Sequence, residues 1–85
     1  MTRWVNVEGV VTAVTYPGYG DDPVVRVILQ VGRASLTLVF QSRRDISAIE
    51  IGQRIRVRGN VVANGGVPLL YNPEYEIVGI DDEYR

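Results

Sequence analysis

Apolar and polar residues alternate with a period of two through most of the chain, the repeat of a β-strand whose faces meet different surroundings. The stretch "VVRVILQV" sends Val25, Val27, Leu29 and Val31 one way and Arg26, Ile28 and Gln30 the other. "SLTLVFQ" does the same with Leu36, Leu38 and Phe40 against Ser35, Thr37, Val39 and Gln41, and a tight turn around Gly32 joins the two. Upstream, "WVNVEGVVTAVTY" alternates Val5 and Val7 against Trp4, Asn6 and Glu8 as far as Gly9, after which the apolar residues fall at 10, 11 and 14. A period that breaks at a glycine predicts a bulge or a sharp coil within one long strand. "GQRIRVRGNV" predicts a fourth strand over 53–63, with Arg54, Arg56 and Arg58 on one face and Ile55 and Val57 on the other. An "NGG" hairpin turn at 64–66 then leads into a last strand broken by Pro68 and Pro73.

Two segments depart from this period. "PGYGDDP" (17–23) is turn chemistry throughout, and with Tyr16 it makes an eight-residue loop between the first two strands. In "SRRDISAIEIG", Ser42 and Asp45 have capping-box spacing, Ile46 and Ile49 share a helical face and Gly52 supplies a stop, which predicts one short helix over about 43–50. Five strands, a helix between the third and fourth, and a glycine-coiled first strand describe the OB fold, a five-stranded Greek-key barrel. The expectation is one all-β domain over 1–78, followed by an acidic, frayed tail over 79–85.

Composition narrows the chemistry. A chain of 85 residues buries roughly 60% of its unfolded surface, enough for a single modest core. It contains no cysteine, no histidine and no lysine. The usual zinc ligand sets, the Ser-His and Cys-His nucleophile pairs, Schiff-base chemistry and the P-loop lysine are therefore excluded. Carboxylates are the acid–base groups that remain, and Asp21–Asp22 and Asp81–Asp82 sit in turn-like or terminal segments with nothing to bury them. We expect a non-enzymatic protein with no cofactor and no metal site. No apolar run reaches the ~18 residues of a membrane span and no signal peptide is evident, so the expected location is cytoplasmic, without a membrane partner.

The formal net charge of −1 conceals an uneven distribution. Residues 41–60 carry Arg43, Arg44, Arg54, Arg56 and Arg58 against Asp45 and Glu50, whereas residues 72–85 carry five carboxylates against Arg85. A local basic patch is thus compatible with a near-neutral total.

"LTLVFQ", "IGQRIRVRGNV" and "YNPEYEIV" together resemble the OB-type wedge domain of RecG-family branched-DNA helicases, with the similarity running over about residues 5–78. The resemblance implies a module that binds branched or single-stranded DNA, within a larger DNA-processing assembly or beside a motor. The chain has no Walker A sequence for a motor of its own. Where the wedge carries aromatics that stack on fork bases, this chain has Gln41 and Asp45. The resemblance therefore extends to the scaffold and not to fork splitting.

OB folds bind oligonucleotides on the face of strands two and three, flanked by the loops after strands one and four. That places Arg26, Gln30, Thr37 and Gln41 on the candidate face, with Ile28 and Val39 exposed among them and no aromatic platform. The first loop adds Tyr16 and Tyr19. Arg43 and Arg44 fall in the first turn of the predicted helix, where the macrodipole disfavours cations, so helix stability does not account for them. The ladder of Arg54, Arg56 and Arg58 would face Trp4, Asn6 and Glu8 on one side and Glu74 and Glu76 on the other. It reads as a neutralised outer wall ahead of a phosphate grip, with Trp4 offering a cation–π partner. The expected function is modest, salt-sensitive binding of single-stranded or branched nucleic acid, DNA ahead of RNA. The alternative is a protein-interaction or oligomerisation module on the same barrel.

Overall fold

The computed structural model describes residues 2–42 and 49–80. Six strands follow in order: β1 (Thr2–Thr15), β2 (Val24–Val31), β3 (Ala34–Gln41), β4 (Gln53–Asn64), β5 (Val67–Tyr71) and β6 (Glu74–Ile80). They hydrogen-bond in the order β1-β2-β3-β5-β4, and β4 pairs back onto β1 to close a five-stranded barrel. β6 continues along β4 beyond β5, so β5 and β6 are two halves of one chain path interrupted at Asn72 and Pro73. This is an OB-like barrel. Of the two prolines expected to break the last strand, only Pro73 does so; Pro68 lies within β5, opposite Ala63.

Among the described residues there is no helix. Residues 43–48 of the helix expected over 43–50 lie outside the described residues, and Ile49 and Glu50, its expected last turn, are not helical. Ile49 is instead anchored in the core, and a turn delivers the chain into β4: the Gly52 amide donates to the Val11 carbonyl (2.8 Å), and Gly52 has φ +94°. A left-handed residue here suits glycine and ends any helical run.

The core is the inward side of the predicted alternation. Val25, Val27 and Leu29 of β2 meet Leu36, Leu38 and Phe40 of β3, and Val11, Ile49, Ile55, Val57 and Leu70 complete the cluster. Phe40 and Tyr75 stack edge to face at 5.6 Å. The two hairpin turns are as tight as their sequences demand. Val31 pairs with Ala34 around Gly32 (φ +59°), and Asn64 pairs with Val67 around Gly65 and Gly66, both at positive φ.

Gly9 is the corner of the barrel. From Thr2 to Val10, β1 pairs with β4; from Val10 onward it pairs with β2, with a bulge between Val11 and Ala13. A Cβ at Gly9 would strike the Gln30 carbonyl oxygen and lie 2.9 Å from Leu29 Cγ and Val31 Cγ2. The two strands can cross this closely only over a residue without a side chain. The expected coil therefore sits at Gly9 and the bulge three residues on. At the other end, β6 runs through Ile80, two residues into the expected tail; residues 81–85 lie outside the described residues.

Candidate nucleic-acid interface

Because Gly9 turns β1 from one neighbour to the other, the barrel has two outer walls, one on β1–β4–β6 and one on β1–β2–β3–β5. The first carries the arginine ladder. Register places Arg58 between Asn6 and Glu74, and Arg56 between Glu8 and Glu76. Arg56 donates to Glu8 (3.0 Å) and to Glu76 (3.1 Å), Arg58 reaches Glu74 at 3.3 Å, and Arg54 lies 3.6 Å from Glu8. All three arginines are thus matched to carboxylates across the strands, as the alternation of Glu74 and Glu76 with Tyr75 and Ile77 implied. Exposed pairs of this kind contribute about 0.2–1 kcal/mol each. Trp4, opposite Asn60 at the end of the same wall, is well exposed.

The second wall is a grid set by register. One row runs Thr15, Arg26, Val39, Tyr71 across four strands. The next runs Ala13, Ile28, Thr37, Leu69, and a third holds Val10, Gln30 and Ser35. Arg26 is exposed and makes no ion pair among the described residues. Its row gains an aromatic that the alternation of β2 and β3 does not reveal: the parallel pairing of β3 with β5 brings Tyr71, 40% exposed, beside Val39. Two strand spacings separate Tyr71 from Arg26, about 10 Å. Val39, expected to be exposed, is buried although it lies outside the core cluster, flanked by Arg26 and Tyr71 in register; Ile28 is exposed as expected.

The polar candidates divide between the two ends of this wall. Gln41 lies at the Arg26 end, opposite Val24, where the first loop enters β2. Its backbone amide donates to Asn72 Oδ1 (2.8 Å) and its side-chain oxygen accepts from Asn72 Nδ2 (3.1 Å). Gln30 lies four residues along β2 from Arg26, roughly 13 Å away. It donates to the Gly32 carbonyl (2.9 Å) and accepts from Ser35 Oγ, so its amide supports the β2–β3 turn. Thr37 is half-buried in the middle row.

The first loop, 16–23, is shaped by Asp21. Its carboxylate accepts from the Gly18 amide (3.0 Å) and its own amide donates to the Gly18 carbonyl (3.1 Å). That turn leaves Tyr19 fully exposed. Tyr16 leaves the sheet directly after Thr15, which faces Arg26, and is 47% exposed. Arg26, Gln41, Tyr16 and Tyr71 therefore gather at one end of the wall, whereas Gln30 does not join them. Arg43 and Arg44 lie outside the described residues.

Tyr71 is the residue that sequence reasoning missed. Its signal was present: in "PLLYN" the buried Leu70 fixes Tyr71 on the outer side once the last strand is set beside the third. No family model and no curated protein matches the chain. Among the described residues no helix is long and apolar enough to cross a membrane.

Proposed function

We propose that the chain is a non-enzymatic OB-type module that binds single-stranded nucleic acid across β1, β2, β3 and β5. The observation that carries the reading is the row Arg26–Val39–Tyr71, which sets a cation without an acidic partner among the described residues and an exposed ring on one aliphatic floor. A phosphate on Arg26 and a base on Tyr71 match the mixed stacking and charge by which OB barrels hold single strands. Tyr16 and Tyr19 extend the stacking surface from the loop. The resemblance of 51–78 to the RecG wedge supports DNA, single-stranded or branched, as the ligand.

With Arg26 the one cation among the described residues in the rows of this face, stacking leads the binding. Each phosphate contact on a single strand contributes a slope of about −0.7 in log affinity against log salt. Phosphate contacts by Arg26, Arg43 and Arg44 together would give a slope of roughly −2. The test is an anisotropy titration of labelled oligo-dT and of a duplex of equal length at several salt concentrations. The expected result is preference for the single strand with a shallow slope. No binding at low salt, or equal binding of the duplex, contradicts the reading.

A second reading, an interaction or self-association module, draws on β6. Its outer edge pairs with no strand among the described residues, and Ile77, Val78 and Ile80 are exposed along it. Sedimentation equilibrium over rising concentration decides it: self-association favours this reading, and a constant monomer mass removes its homo-oligomeric form.

A further inference from the structure

The place where Tyr71 is held has a construction of its own. The β3–β5 seam has three residue pairs, Thr37–Leu69, Leu38–Leu70 and Val39–Tyr71, and they run parallel. A parallel seam this short is a weak join, and Tyr71 is its last rung. Immediately after it, Asn72 takes φ +48°, a conformation asparagine tolerates better than most residues. That turn aims every polar group of Asn72 except its carbonyl at the end of β3. The amide donates to the Val39 carbonyl (2.7 Å), Oδ1 accepts from the Gln41 amide (2.8 Å), and Nδ2 donates to Gln41 Oε1 (3.1 Å).

We infer that Asn72 and Gln41 form a positioning clamp for the ligand face: they fix Tyr71 in register with Val39 and Arg26 so that its ring is presented ready to stack. The inference rests on the proposed reading of that face and adds to it two residues that need not touch the ligand. The clamp's side-chain bonds are exposed, so core packing does not require them. Their position at the one rung that carries the exposed ring is what the clamp explains. Gln41 thus acts through Tyr71 and not as a direct ligand contact.

The experiment is a double-mutant cycle on the whole chain, read by oligo-dT binding and by amide hydrogen exchange. Asn72→Gly keeps the left-handed turn and the backbone bond and removes both side-chain bonds. Gln41→Ala removes one of them and serves as the milder variant should Asn72→Gly fold poorly. Asn72→Gly is expected to speed exchange at the Gln41 amide, which loses its acceptor, about tenfold, leave β4–β6 exchange unchanged, and lower oligo-dT affinity. The double variant Tyr71→Ala/Asn72→Gly should bind no more weakly than Tyr71→Ala alone, because the clamp acts only through the ring. A purely structural role predicts additive losses instead, and that result overturns the inference. Binding that survives Asn72→Gly unchanged overturns the clamp while leaving the face intact. A wild-type chain that does not bind oligo-dT overturns the face and the clamp's role with it.

Discussion

On the β1–β4–β6 wall three arginines stand at alternate positions, each with a carboxylate within 3.6 Å; on the β1–β2–β3–β5 face Arg26 stands without one among the described residues. The wall with more cations is the one less able to hold a phosphate, because Glu8, Glu74 and Glu76 already occupy its guanidinium groups. The face with one cation has an exposed aromatic in the same row. Under the proposed function, counting arginines therefore points away from the binding face. Pairing, fixed by register, decides which charge is available to a ligand.

The sharpest way to break the comparison is to remove what separates the two walls. Gly9→Ala places a Cβ against the Gln30 carbonyl and two side chains, so the crossing must open. A loss of about 1–3 kcal/mol is expected, seen by circular dichroism as a melting temperature lower by roughly 4–8 °C per kcal/mol. An unchanged melting temperature would mean that the strands do not cross as closely as described.

Next in size is the contrast between aromatics. Tyr71→Ala and Tyr16→Ala should each lower oligo-dT affinity by about 1–3 kcal/mol if each stacks one base. Trp4→Ala, on the neutralised wall, should leave affinity within about twofold, although tryptophan is the larger ring. A Trp4 effect exceeding that of Tyr71 in the same anisotropy assay reverses the assignment of faces.

The ladder can be sharpened by uncovering it. Glu8→Gln with Glu76→Gln removes the partners of Arg56 and the carboxylate beside Arg54. Polyanion binding should then become steeper with salt, by about 0.7 for the release of Arg56. No change in slope would mean that Arg56 was already available. Smallest of all is the stability effect of Arg56→Gln, about 0.2–1 kcal/mol by chemical denaturation and diminishing at high salt.

Much of this arrangement was legible in the chain. Period-two alternation gave β2 and β3 their faces, Gly9 marked the corner, and the "NGG" and Gly32 turns fell where their φ values require. The neutral ladder followed from the alternation of Glu74 and Glu76 with Tyr75 and Ile77; the hairpin register alone would not give it, because the pairing with β4 shifts by one residue between Val61–Leu70 and Arg58–Glu74, at the Asn72–Pro73 break. Tyr71 did not follow, because its partner Val39 lies in a parallel strand with no turn between them to announce the pairing. The burial of Val39 was hidden for the same reason, since alternation alone assigns it to the wet side. Gln41 and Gln30 read as free amides until the structure showed Asn72, Gly32 and Ser35 engaging them.

The most direct measurement of the central claim is the salt slope of oligo-dT binding for two variants against the wild type. One is Arg26→Gln; the other replaces Arg54, Arg56 and Arg58 together by glutamine. The account predicts a slope shallower by about 0.7 for the single change and none for the triple. A slope that flattens with the triple variant and holds with Arg26→Gln would place the ligand on the opposite wall and contradict it.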